Sequence, residues 1–142
     1  MVSFCIALPL LASGEHPASI SFKTLRLPKS PNTYLVCPPD ACATRPMLSS
    51  PIYTFSADEL RRRWQEMIKK QSKVTLLHSD LENMQFQYVQ RVGFFNFPDY
   101  IDVKFISIDN KKSTLAIYSR SKYGYYDFGV NKRRIIGWLN EL

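Results

Sequence analysis

None of the short signatures that announce a catalytic or nucleotide-binding site occurs in this chain of 142 residues. It has no Gly-x-Ser-x-Gly elbow, no His-Glu-x-x-His helix, no Gly-x-x-x-x-Gly-Lys loop and no Gly-x-Gly-x-x-Gly turn. These absences remove the common sequence forms of a nucleophile on a strained turn, a zinc hydrolase and a phosphate cradle. Histidine is limited to His16 and His78, neither at ligand spacing from a cysteine, so neither a metal nor a cofactor is expected. The apolar stretch at 2–12 is eleven residues and contains Pro9, whereas a membrane-spanning helix needs about 20. No Gly/Ser linker, internal repeat or low-complexity tract divides the chain, and a domain this long buries roughly 68% of its unfolded surface around one core.

Acidic residues are also few, 12 against 19 Lys and Arg, which leaves a net charge of +7. Such a surface is drawn to anions: nucleic acid, acidic lipid headgroups or acidic envelope polymers. The basic residues are dispersed over 61–63, 69–73, 111–112 and 132–134. Short dispersed blocks of this kind suit solvated faces better than a nucleic-acid stripe.

The apolar segment at 2–12 gives way to Ser13 and Gly14, resembling the hydrophobic and cleavage regions of a secretory signal without its leading basic residues. The expected organisation is therefore a truncated signal-like leader at 1–14 and one domain at 15–142. Removing that leader takes Cys5 with it and leaves Cys37 and Cys42, an even pair suited to an oxidising compartment. The intervening Pro38-Pro39-Asp40-Ala41 is turn-forming, so a Cys37–Cys42 disulfide is expected. A periplasmic or otherwise extracytoplasmic location follows if the leader is a signal, a cytoplasmic one if it is not.

Prolines 28, 31, 38, 39, 46 and 51 prevent a long helix before residue 52, and strand-like pieces at 19–27 and 33–37 suggest an extended, proline-rich N-terminal arm. Ser56-Ala57-Asp58-Glu59 is a capping-box pattern, with Leu60, Trp64, Met67 and Ile68 following at helical spacing. The period then shortens to that of strands at 73–78, 84–92, 100–108 and 113–121, and a second helix at 131–142 is expected to have Asn131 as its N-cap. The fold class is α+β: an antiparallel sheet of four or more strands, two packed helices and the arm, with apolar residues in both alternating sets of the later strands implying cover on both faces. Centring the polar turn on Asn110-Lys111 would pair Phe105 with Ala116 and Val103 with Tyr118.

Three stretches hold residues of the types that carry chemistry. Asp99 and Asp102, with Arg120, are the residues an enzyme of unrecognised type would use. Phe94, Phe95 and Phe97 beside Gly93 read as buried core aromatics rather than a base-stacking strand. The third stretch is 119–135, where Gly124 and Gly129 supply backbone freedom around Asp127 and Asn131 opens a basic helix. One reading has Arg120, Lys122 and Arg133 holding an anionic group at the helix N-terminus. The other makes Asp127 a structural latch with Gly124, Gly129, Asn131 and Arg134, accepting loop amides and pairing with Arg120 or Arg134. A carboxylate in the centre of the loop repels the anion that the cations attract, which favours the latch.

The run Gly124, Asp127-x-Gly129-x-Asn131, Arg134 and Ile135 resembles domain-of-unknown-function family 1499, an uncharacterised family of bacteria and plastid-bearing organisms. Phe97 to Phe105 resembles the family's earlier phenylalanine-aspartate strand, and Pro31-Asn32 with Cys37 its N-terminal region. The resemblance extends from about Leu27 to Leu142 and is strongest over 97–135. This chain departs at Tyr118, where basic residues are common, at Lys122, where arginine is, and in the spacing stretched by Thr33–Val36. The resemblance implies export or membrane tethering and supplies no activity. The expectation is a non-enzymatic extracytoplasmic binding or accessory domain whose partner is an anionic envelope component or an envelope protein, with nucleic acid a poorer fit.

Overall fold

The computed structural model describes residues 16–142. The signal-like stretch at 1–14 and Cys5 lie outside the described residues. Among these residues there are six strands, β1 (Thr33–Cys37), β2 (Leu48–Ser49), β3 (Val74–Asp80), β4 (Gln85–Val92), β5 (Phe97–Asp109) and β6 (Lys112–Ser121), of which the two-residue β2 was not expected from the sequence. Two helices join them among the described residues, α1 (Ala57–Lys69) between β2 and β3, and α2 (Val130–Asn140) after β6. The strands form one sheet in the order β2-β1-β6-β5-β4-β3, antiparallel throughout except for the parallel β1–β2 pair. The class is α+β.

Helix α1 starts where its capping residue dictates. The Ser56 hydroxyl accepts from the Glu59 amide at 3.2 Å, satisfying a donor that has no partner within the helix. The second half of the capping box is replaced, because the Glu59 carboxylate turns to Arg62 and Arg63 one turn on. Leu60, Trp64, Met67 and Ile68 form the buried stripe, and Trp64 sits at the centre of the core. Its ring meets Trp138 of α2 edge-on at 5.7 Å and Phe105 of β5 at 5.9 Å, the geometry the charge distribution of aromatic rings favours. Both helices therefore cover the same sheet face, packing on Ile101, Val103, Leu115 and Ile117.

The opposite face carries a second, smaller apolar cluster. Leu35, Cys37, Ala116 and Tyr118 project from the sheet, and Phe22 closes over them with Ile20, Leu25 and Leu27. The segment 19–27 is thus not the strand its composition suggested. β2 already occupies the free edge of β1, so 19–27 lies across the sheet face, where its apolar side chains are buried without ladder pairing.

The β5–β6 hairpin corrects the expected register by one residue. Asp109 does face Lys112 across Asn110-Lys111, but Ser107 faces Ser113, so Ile108 is an extra residue in β5. This bulge pairs Phe105 with Leu115 and Val103 with Ile117, and sends Ala116 and Tyr118 to the other face.

Cys37, the last residue of β1, is bonded to Cys42 five residues on. The loop between them turns through Asp40 in the left-handed region, and the Ala41 amide donates to the Pro38 carbonyl at 3.3 Å. Replacing both cysteines by serine is expected to lower the unfolding free energy by about 2 kcal/mol, the chain-entropy value for so short a loop. Urea denaturation of the double variant measures it. Two freely alkylated thiols at positions 37 and 42 of the oxidised parent would rule the bond out.

Candidate functional site

Strand alternation places Asp99 and Asp102, three residues apart in β5, on opposite faces of the sheet. Each takes its own arginine. On the helix-covered face the Asp99 carboxylate meets Arg134 of α2 at 2.6 Å, with both side chains almost wholly buried. Arg134 also donates to the Gln90 side-chain carbonyl, the Ser119 hydroxyl and the Asn131 side-chain carbonyl. A buried guanidinium needs such partners, because an unanswered charge there costs several kcal/mol.

Asn131 is the hub of this network and is fully buried. Its carbonyl oxygen accepts from the Ser119 hydroxyl at 2.6 Å and from Arg134 at 2.7 Å. Its amide group faces the Asn32 backbone carbonyl, the Ser121 hydroxyl and the Asp127 carboxylate at 2.7–3.1 Å. Asn32 in turn donates to the Gly124 carbonyl at 2.6 Å, so the start of β1, the end of β6, the loop and α2 are tied at one point. Asn131 is therefore not the N-cap. The helix begins at Val130, capped by Gly129 in the left-handed conformation at φ 77°.

The capping oxygens come from Asp127. Its carboxylate accepts from the Gly129 amide at 2.9 Å and the Asn131 amide at 3.0 Å, in addition to the Asn131 side chain. Partial burial acts to raise this carboxyl, but the bonds from Asn131 and Gly129 outweigh it and hold Asp127 below the ordinary carboxylate value. The ion pair expected between Asp127 and Arg120 or Arg134 is not formed, because each arginine lies against a strand aspartate instead. The helix N-terminus, where an external anion would sit, is filled by the protein's own carboxylate.

On the other face Arg120 of β6 meets Asp102 at 2.7 Å, and Gln87 lies beside the same carboxylate at 3.3–3.4 Å. The Arg120 guanidinium also lies against the Tyr118 ring, 4.9 Å from its centroid. Burial raises the Tyr118 hydroxyl pKa, with the Asp102 charge adding to the effect and Arg120 opposing it. The trio Asp99, Asp102 and Arg120 is thus divided by the sheet. Lys122 and Arg133, the other two cations of the expected anion site, are exposed.

That end holds what the sequence reading missed. Gly93 to Asn96 makes a tight turn between β4 and β5, with Asn96 donating to the Gly93 carbonyl at 3.3 Å. The turn presents Phe94 and Phe95 outward, 93% and 73% exposed, where core aromatics were expected. Their rings run in contact through Phe97 to Tyr123 of the neighbouring β6–α2 loop. In that loop Tyr125 and Tyr126 are exposed, and Phe128 is 87% exposed. Lys122 stands over the Tyr123 ring at 5.3 Å, Lys73 reaches Asn96, and Arg133 donates to the Phe128 carbonyl. The one carboxylate in the two loops, Asp127, is turned inward. No sequence periodicity distinguishes an aromatic at a turn apex from one in a strand, which is why this surface was misread. The partners Ser119 and Ser121 had a signal, because they continue the buried phase of β6 after Leu115 and Ile117 with hydroxyls in place of hydrocarbon.

Asp127→Ala is expected to cost about 1–3 kcal/mol at neutral pH by leaving buried donors unanswered. Because the Asp127 pKa is depressed in the folded chain, its contribution is present above the ordinary carboxylate range and lost as pH falls through the folded value. Urea unfolding of parent and variant should show the gap narrowing only below about pH 4. Arg134→Ala, which strands Asp99 in the core, is expected to cost about 3–5 kcal/mol in the same measurement.

Comparison with curated proteins and with solved structures gives no match in either set. The model of one family, described as a protein of unknown function (DUF1499), matches residues 25–142. That span contains Asn32, Asp99, Gly124, Asp127, Gly129, Asn131 and Arg134, the residues tied together around the last helix, and by this match the chain belongs to the DUF1499 family.

Proposed function

We propose that this domain is a non-enzymatic binding module, working outside the cytoplasm, that recognises an anionic component of the cell envelope through the end of the sheet formed by the β4–β5 turn and the β6–α2 loop. The observation that carries this reading is the composition of that end. Seven aromatic side chains, Phe94, Phe95, Phe97, Tyr123, Tyr125, Tyr126 and Phe128, stand exposed there beside exposed cations. The loops direct no carboxylate outward. Apolar surface left in water on this scale marks a contact site, and the flanking charge selects an anionic one.

The strand aspartates support binding over catalysis. Asp99 and Asp102 are each committed to an arginine and an amide-bearing neighbourhood, on opposite sides of the sheet. Neither carboxylate shares a cleft with the other. The extracytoplasmic setting rests on the Cys37–Cys42 bond, which suits an oxidising compartment, and on the signal-like character of 1–14.

Soluble polyphosphate provides a test free of any membrane. Affinity for the full chain should fall linearly on a log-log plot against salt, and Lys122→Ser with Arg133→Ser should lower that slope by about one per cation removed. An unchanged slope in the double variant would move the anion site elsewhere on the basic surface.

A further inference from the structure

We infer that the anionic component is a lipid bilayer surface, into which the aromatic end of the sheet inserts shallowly. This rests on the reading that the end binds anions, and it adds the identity of the partner. What carries it is the set of side-chain types gathered at this end. Phe94 and Phe95 occupy the apex of the Gly93–Asn96 turn, and Phe128 projects from the adjacent loop; Phe94 and Phe128 are almost wholly in solvent and Phe95 about three-quarters so. The tyrosines of the same loop, Tyr123, Tyr125 and Tyr126, are half to two-thirds exposed, and their hydroxyls need a polar layer. Alongside stand Lys73, Lys122, Lys132 and Arg133, exposed and on stems long enough to reach phosphate oxygens. Exposed hydrocarbon, half-exposed phenols and long-stemmed cations gathered at one end are the side-chain types that a membrane interface takes up in its acyl boundary, its carbonyl and headgroup region and its phosphate layer.

Other occupants fit less well. A second copy of the chain docking by a two-fold axis would bring the same cations face to face. A single-stranded nucleic acid would need ring faces laid open along a basic groove, whereas Phe94 and Phe95 meet edge to face at 88° and present a blunt tip. Depth is bounded by the turn itself. Its backbone amides and carbonyls cannot be left unpaired among acyl chains, so the tip reaches the headgroup boundary and stops.

The test is flotation of the full chain with vesicles of phosphatidylglycerol mixed with phosphatidylcholine, with vesicles of phosphatidylcholine alone, and with soluble polyphosphate as a competitor without a bilayer. The N-terminal apolar segment is present in every variant, so differences between variants report the sheet end alone. The parent is expected to bind mixed vesicles and to bind pure phosphatidylcholine at least about tenfold more weakly, since each cation near an anionic surface contributes about fivefold. Phe94→Ser with Phe95→Ser should weaken vesicle binding by about tenfold per ring and leave polyphosphate binding unchanged. A Phe94→Trp variant should show a blue-shifted emission increment on mixed vesicles, against Trp64 and Trp138, which are buried in the core. Because the substituted side chains are exposed, unfolding midpoints of these variants should equal the parent's. Polyphosphate binding without vesicle binding would overturn the bilayer and keep the anion reading. Loss of both would overturn the two together. Vesicle binding that ignores the phenylalanine pair would also overturn insertion.

Discussion

The guanidinium of Arg134 carries a full charge to a place water does not reach, and the last third of the chain is built around answering it. Asp99 supplies the opposite charge, while Gln90, Ser119 and Asn131 each take a further donor. Of these groups only Asn131, one turn earlier in α2, is near Arg134 in the sequence. Their convergence requires β4, β5, β6 and α2 to be in register with one another, so the charge can be neutralised only in the native arrangement. A pair of this kind adds little net stability over a hydrocarbon equivalent, but any misdocked helix leaves it unanswered.

Asn131 extends this constraint to the loop. Its side chain links Arg134 on one side with Asp127 and Asn32 on the other, and Asn32 holds the Gly124 carbonyl. The Asp127 carboxylate then does for α2 what Ser56 does for α1, supplying acceptors for amides that the helix itself cannot satisfy. Gly129 is required at the junction because its backbone has φ 77°, and a side chain there would also press on the Arg133 guanidinium, 3.0 Å from a Cβ at that position. The loop is thereby fixed at its base while its aromatic side chains remain free.

Where the sequence was legible, a local pattern had one physical meaning. The capping serine and the stripe of Leu60, Trp64, Met67 and Ile68 located α1, and the return to period two located β3 to β6. The doubly apolar strands announced a sheet covered on both faces. Where reading failed, the deciding interaction was remote. The bulge at Ile108 left no mark in composition, yet it set which residues of β6 face the helices. The partners of Arg120 and Arg134 lie in another strand, and their choice of Asp102 and Asp99 over Asp127 depends on face and distance. Phe94 is chemically a core residue, and only its place at the apex of a turn puts it in water.

The separation between the tied base of the loop and its exposed tip has an evolutionary consequence. Substitutions among Phe94, Phe95 and Phe128 touch almost nothing that folding depends on, so they encounter little selection for stability. Substitutions at Asn131 or Arg134 disturb four elements at once. A lineage carrying this scaffold can therefore retune what the tip adheres to, residue by residue, while the architecture beneath it stays closed to change.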